Sequence, residues 1–174
     1  TVVALPRLPG INERIAVSDA NGQLVAASGA DNRVELYRVV AGALHALPTT
    51  LAGHSARITA MAFSPDARFL ASGSDDGALV LWNVSEGKLL AKLFTFVDGT
   101  WVVVDAQGRF DTNNLEEIEQ LHWVMPDDPL RALPLEVFMR DYYEPRLLPR
   151  LLAGEAFAPV RDLSTLNRAQ PEVK

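Results

Sequence analysis

Histidine and carboxylate residues are the first candidates for chemistry in this chain, because an imidazole beside a carboxylate can move protons or bind a metal. A hydrolase could use His54 or His122 together with Asp76 or Asp111. However, the sequence contains no nucleophile elbow, phosphate-binding loop or metal-ligand spacing. The chain also has no cysteine, which excludes a cysteine nucleophile and a thiolate metal site.

Clustered carboxylates in the second half have simpler explanations than a metal site. Three glutamates begin a predicted helix after Asn114, and negative charge in the first turns stabilises a helix. These are Glu116, Glu117 and Glu119. Asp127 and Asp128 lie between prolines and lack the spaced ligands of a calcium loop. We therefore predict no metal ion and no cofactor.

The elements that position His54 and Asp76 are short β-strands. Apolar residues alternate with others over 58–63, and two further apolar runs follow at 69–72 and 79–82. A Ser-Pro-Asp turn and an Asp-Asp-Gly turn separate the three runs. The sequence therefore predicts a small antiparallel meander.

This meander resembles a WD repeat, the four-stranded blade of a β-propeller, in four segments. They are Gly53-His54, the SPD turn, the ASGSDDG turn and LVLWN. The last segment ends with Asn83, where the family usually has Asp, at a position that tolerates variation.

The resemblance implies that His54, Ser72, Asp76 and Trp82 form a buried hydrogen-bond tetrad that holds the blade together. The groups are suited to it, since an indole N–H only donates, a hydroxyl and an imidazole do both, and a carboxylate accepts. In this interpretation the tetrad is structural, and the alternative is a metal-binding or catalytic role for His54 and Asp76.

A weaker copy of the repeat precedes the clear one. Tyr37 stands 45 residues before Trp82, within the repeat length of about 40–45 residues. No Gly-His pair precedes the copy, so its hydrogen-bond chain is expected to be incomplete. We predict WD-repeat blades over 1–97, with a degenerate blade at 11–52 and a good match at 53–97.

Beyond the blades, a β-hairpin is predicted over 98–112, from the β-prone run at 101–104 and the turn before Arg109. From 113 to 174 the sequence predicts a helical extension and an irregular tail. Helices are expected at 115–121, at 135–143 and around 147–152. The predicted fold is mainly β: two blades of a larger propeller, a hairpin and a small α-helical extension.

Residues 100 to 170 resemble the post-propeller segment of large bacterial WD-repeat proteins, several of which carry a caspase-like peptidase domain elsewhere. The resemblance implies a fragment of such a protein, with any peptidase activity in another segment. We predict an interdomain contact at Tyr142, Tyr143 and Arg146, because aromatic and arginine residues are enriched in interfaces. Alternatively, the tyrosines cover the apolar end of the propeller in the same chain.

Composition narrows the range of partners. The 174-residue chain is 48% hydrophobic with a net charge of −6, which argues against nucleic-acid binding. No apolar run is long enough for a bilayer span. We therefore predict a cytoplasmic, non-catalytic scaffold or sensing module, whose partners are another protein or other segments of the parent polypeptide. The alternatives are a hydrolase with its own site or a purely structural propeller cap.

Overall fold

A computed structural model describes two compact units, divided after Phe94. The first unit is Thr1–Phe94 and the second is Thr95–Lys174. The described residues are 14–17, 22–115, 122–125 and 128–161. Within each unit, the described strands pair in antiparallel fashion.

The first unit begins with a four-stranded meander, the first sheet, in the order β1-β2-β3-β4. Its strands are β1 Arg14–Val17, β2 Leu24–Ser28, β3 Arg33–Val40 and β4 Ala43–Ala52. The β3–β4 register shifts between Glu35 and Tyr37. As a result, residues 47–49 of β4 bulge opposite Leu36.

Four further strands of the first unit, called the second sheet here, repeat this arrangement and pair in the order β5-β6-β7-β8. Its strands are β5 Ile58–Phe63, β6 Phe69–Ser74, β7 Ala78–Asn83 and β8 Lys88–Thr95. Val25 pairs with Tyr37 in the first sheet as Leu70 pairs with Trp82 in the second. The two predicted repeats therefore fold as equivalent four-stranded blades.

Apolar side chains from both sheets form one core cluster in the first unit. Its buried members are Ala26, Val34, Leu36, Leu51, Ile58, Leu70, Ala78, Val80 and Trp82. Burying a large apolar side chain contributes about 1.5–3 kcal/mol. Period-2 alternation brings these residues to one face of each sheet, so packing between the sheets stabilises both.

The second unit contains two hairpins and short helical segments. Its elements are β9 Trp101–Asp105, β10 Phe110–Thr112, β11 His122–Met125, β12 Asp128–Pro134, a 3-10 helix Leu135–Phe138, α1 Met139–Tyr142 and α2 Leu147–Leu152. Phe110, Phe138 and Tyr142 lie in its buried core. Among the described residues, no helix is long and apolar enough to cross a bilayer.

The hairpin of β11 and β12 replaces part of the predicted helical extension. Trp123 is the physical reason, because its ring packs edge-on against Phe138 at 5.6 Å and lies 4.9 Å from Tyr142 between centroids. A strand places Trp123 and the buried Met125 on the same side. The predicted helix over 115–121 falls mostly on residues 116–121, which lie outside the described residues.

The helices predicted near 135–143 and 147–152 are present. The first begins as a 3-10 helix and continues as α1. After α2, Gly154 has a φ of 75° and its N–H donates to the carbonyl of Leu151, the C-terminal arrangement that glycine favours.

Leu70→Ala is expected to lower the free energy of unfolding by about 2–5 kcal/mol, because Leu70 is 0% exposed in the core and its removal leaves a cavity. Leu79→Ala, on the neighbouring strand, is the matched control. Leu79 is 43% exposed, so its loss should cost less than about 1 kcal/mol. Urea unfolding measures both values, and equal losses would contradict the assigned core face.

Candidate functional site

The four side chains singled out by the repeat lie in one continuous chain of hydrogen bonds. Trp82 Nε1 donates to Ser72 Oγ at 2.8 Å. Ser72 Oγ lies 2.8 Å from His54 Nε2, and His54 Nδ1 lies 2.9 Å from Asp76 Oδ2. Ser72 is on β6, Trp82 on β7, Asp76 in the turn between them, and His54 precedes β5.

Donors and acceptors fix the direction of this chain. The Asp76 carboxylate can only accept, so His54 Nδ1–H donates to it and Nε2 accepts from the Ser72 hydroxyl. Ser72 Oγ accepts the indole N–H of Trp82 in turn. Every polar group is used, and the His54 side chain is 0% exposed. A buried network that is fully satisfied in this way stabilises one arrangement of the strands.

Two backbone N–H groups stabilise the ionised carboxylate of Asp76 in addition to His54. The N–H of Ser55 donates to Oδ2 at 2.9 Å and the N–H of Ala78 donates to Oδ1 at 3.0 Å. Burial on its own raises the pKa of Asp76, but these backbone hydrogen bonds and the one from His54 outweigh it and lower the pKa from 3.8 to about 2.

Gly53 allows the tetrad to close. A Cβ at this position would lie 2.9 Å from Cη2 of Trp82 and 3.3 Å from a methyl group of Leu89. The Gly53 carbonyl also accepts a hydrogen bond from Lys92 Nζ at 2.8 Å. The glycine before His54 is therefore required by the close approach of the indole ring to the backbone.

The first sheet has no equivalent tetrad among its described residues. The strand register places Ala27 where the second sheet has Ser72, and Tyr37 where it has Trp82. The Tyr37 hydroxyl donates instead to Glu35 Oε2 at 2.5 Å, on its own strand. Burial and this neighbouring carboxylate raise the pKa of Tyr37 well above its usual value. The degenerate copy is stabilised by apolar packing.

The other histidine–carboxylate pairing considered from sequence is not formed. Asp111 is 7% exposed, and its carboxylate accepts from the N–H of Leu147 at 3.2 Å and of Thr112 at 2.9 Å. It thus satisfies the first N–H of α2. His122 is exposed on β11, and no hydrogen bond joins it to Asp111 within the described part of the chain.

Two of the predicted interface residues are buried or half-buried by the second unit itself. Tyr142 is 4% exposed in the aromatic core, and its hydroxyl donates to the carbonyl of Arg161 at 2.6 Å. Tyr143 is half-buried against Phe110, with ring centroids 5.7 Å apart. Arg146 is exposed, with a φ of 59°. Tyr142 is therefore a core residue in this structure, and a contact through Tyr143 and Arg146 stays a prediction.

A buried ion pair in the second unit was not singled out from the sequence. Arg109 Nη1 lies 2.7 Å from Asp105 Oδ2, and both side chains are almost completely buried. Arg109 also donates to the carbonyl of Ala158, and its guanidinium lies over the Phe157 ring at 5.1 Å. A hairpin turn normally carries exposed polar residues, so no local signal indicates that this pair anchors the segment near residue 158.

These features define the class of structure: the first unit consists of two four-stranded propeller blades, one of them closed by a buried tetrad. Consistently, residues 46–83 match the family model described as "WD domain, G-beta repeat". The chain therefore contains a WD repeat. Within the described residues, no cluster of three or more histidine, cysteine, aspartate or glutamate side chains could hold a metal ion.

Relatives with WD repeats match parts of the chain, which spans only a small share of their length. "Small ribosomal subunit protein RACK1y" of Oryza sativa subsp. japonica is 49% identical over 47 residues, which cover 27% of this chain and 14% of that protein. "WD repeat and HMG-box DNA-binding protein 1" of Mus musculus is 28% identical over 131 residues, 75% of this chain and 11% of that protein. "Protein HIR1" of Eremothecium gossypii is 32% identical over 83 residues, 39% of this chain and 10% of that protein.

Acidification is expected to weaken the tetrad. A carboxyl with a lowered pKa in the folded state stabilises the fold above its unfolded pKa, near 3.8, and this contribution is lost as the pH falls through about 2. Between about pH 4 and pH 2, the Asp76 contribution lost should be on the order of 1 kcal/mol, measured by urea unfolding at several pH values.

Two variants isolate that contribution. Asp76→Asn should be less stable near pH 4 and should lose less stability than the wild type between about pH 4 and pH 2. Asp75→Asn is the matched control in the same turn, where the described contacts of Asp75 are an exposed ion pair and a backbone hydrogen bond, both with Arg57. This control should keep the wild-type pH slope. An unchanged slope in Asp76→Asn would contradict the assignment.

Proposed function

We propose that this chain is a non-catalytic protein-interaction module that acts as a scaffold or sensing surface. The observation that carries the proposal is the enclosure of His54: both ring nitrogens are hydrogen-bonded and the side chain is 0% exposed. A general base must reach the proton that it removes from a substrate. His54 in this arrangement fastens strands and has no nitrogen left for a substrate.

The architecture supports a binding role within a larger propeller. Closed propellers contain about four to eight blades, and the first unit supplies the strands of two. Further blades would come from other segments of the parent polypeptide or from another chain. Propeller rims present loops on a rigid scaffold, which is the usual place for protein recognition. The name of one relative also describes a component of a larger assembly, the small ribosomal subunit.

A more specific proposal concerns the parent protein. The resemblance of residues 100 to 170 to the post-propeller segment of bacterial WD-repeat proteins supports a parent with a caspase-like peptidase domain in another segment. In such a protein the blades and the second unit would position or regulate the peptidase. Arg146 and the open part of Tyr143 are the residues that we propose for the contact, since both retain exposed surface.

Replacement of His54 distinguishes a fastening role from a catalytic one. His54→Ala removes one hydrogen bond each from Ser72 and Asp76, and losing a partner in a buried network costs about 1–3 kcal/mol. The melting temperature should fall, while partner binding by the folded fraction should persist. His45→Ala is the matched control, because His45 is exposed on β4, and it should change stability by less than about 0.5 kcal/mol. Loss of a hydrolytic activity at unchanged stability would overturn the proposal.

Binding itself is tested with the intact chain immobilised as bait. We expect it to retain at least one protein, which after purification binds the free chain with a defined stoichiometry in calorimetry. For the more specific proposal, the bait is offered a caspase-like peptidase domain from a bacterial WD-repeat protein, and Arg146→Glu should weaken that contact. If nothing is retained beyond the level of an unrelated globular control, the chain is a structural cap.

A further inference from the structure

An open groove lies between the two sheets of the first unit. Its volume is about 390 Å³, within the range of pockets that hold a small ligand or a few side chains. Its described lining includes Leu36, Arg38, the segment 47–49, Ala67, Arg68 and Val84. Most of its walls are apolar, and two arginines provide its charge.

Two irregular backbone segments form part of the walls of this groove. One wall is the bulge at residues 47–49 of β4, which stands opposite Leu36 and contains a proline with no N–H to donate. The other wall includes Ala67, which has a φ of 55° in the turn before β6. Bulges and left-handed non-glycine residues are concentrated at binding sites, where the surrounding structure maintains them.

Arg38 and Arg68 differ from several other arginines of the chain. Arg33, Arg57, Arg109 and Arg150 each form an ion pair with a carboxylate. For Arg38 and Arg68, no carboxylate lies within ion-pairing distance in the part of the chain that the structure describes. The contrast matters because the chain has a net charge of −6.

The acidic residue nearest to Arg68 in the sequence is Asp66, whose pKa is lowered by the Ser64 hydroxyl, by the backbone N–H of Arg68 and, to a smaller extent, by the Arg68 charge. Its Oδ1 accepts from the Ser64 hydroxyl at 2.6 Å and from the backbone N–H of Arg68 at 3.1 Å. The Arg68 guanidinium instead lies over the Phe69 ring, 5.1 Å from its centroid. Both guanidiniums are on exposed residues, so they can meet a carboxylate from outside the chain.

We propose that this groove binds an acidic segment of a protein partner. Aspartate or glutamate side chains of the segment pair with Arg38 and Arg68, and a neighbouring apolar side chain enters the cavity between Leu36 and Val84. Arginine suits this role because its planar guanidinium can hold a carboxylate by two parallel hydrogen bonds. The inference rests on the proposed protein-binding function and assigns that function a surface.

The chemistry of the groove favours a peptide over a nucleic acid. A phosphate backbone requires a stripe of cationic residues, and an acidic protein repels it over a distance. Here two cations stand beside apolar walls formed by leucine, proline and valine side chains. A segment that alternates acidic and apolar residues matches both properties.

The probe is a fluorescein-labelled hexapeptide of alternating leucine and aspartate, titrated with the full chain by fluorescence anisotropy. The double variant Arg38→Gln/Arg68→Gln should weaken its binding roughly ten- to a hundredfold, since each charge-assisted hydrogen bond is lost. Arg33→Gln/Arg57→Gln is the matched control, with the same change in net charge at two exposed arginines, and should stay within about twofold of the wild type. A peptide with asparagine in place of aspartate should bind the wild-type chain about as weakly as the aspartate peptide binds the double variant.

Three results would overturn the inference. They are equal weakening by both double variants, equal binding of the aspartate and asparagine peptides, and equal binding of a labelled oligonucleotide of the same charge. A purified protein partner then separates the two proposals. If it still binds Arg38→Gln/Arg68→Gln with wild-type affinity, the groove is not its site although the scaffold function stands. If the immobilised chain retains no protein but the acidic peptide binds, the scaffold function fails, and the groove is still assigned as a site for acidic peptides.

Discussion

The buried hydrogen bonds that join Trp82, Ser72, His54 and Asp76 are the constraint on which the second sheet depends. Burying any one of these groups without a partner is unfavourable, because the group loses its hydrogen bonds to water and forms none in the protein. The four are satisfied only when β6, β7, their turn and the segment before β5 reach the observed register. The network therefore selects one register among those that the apolar pattern alone would allow.

The first sheet shows what the same topology does without such a network. Its strands keep the order and pairing of the second sheet, yet Ala27 and Tyr37 replace the serine and tryptophan. The sheet is stabilised by the apolar cluster that it shares with its neighbour. Stability in the first unit should thus be uneven, with the second sheet as the more independent part.

Much of this organisation could be predicted from local sequence signals. The alternation in 58–63, the glycine-containing turns and the spacing between Tyr37 and Trp82 all act over short distances or repeat with a period, so they identify strands and blades directly. The strand β11 could not be recognised in this way, since a four-residue apolar run fits a helix or a strand equally well. Its conformation depends on the aromatic core around Trp123, which only the folded chain assembles.

The groove lined by Arg38 and Arg68, and the contact of Asp111 with α2, could not be predicted from the sequence for a related reason. Arg38 lies on β3 and Arg68 in the turn before β6, so only the folded chain brings them to the same groove. From the sequence, Asp111 was a candidate residue of a hydrolase site, and in the structure its carboxylate accepts a hydrogen bond from the N–H of Leu147 at the start of α2. Residue type indicated the available chemistry in both cases, and the tertiary structure decided its use.

The bulge around Pro48 has a second effect on the molecule. The strand β4 is the edge of the first sheet, and an exposed edge offers unpaired N–H and C=O groups to strands of other chains. Pro48 has no N–H, and a bulge bends the strand, so part of this edge cannot pair regularly with another strand. The edge strand β4 can therefore stay exposed to solvent with a reduced tendency to pair with the strands of other copies and form fibres.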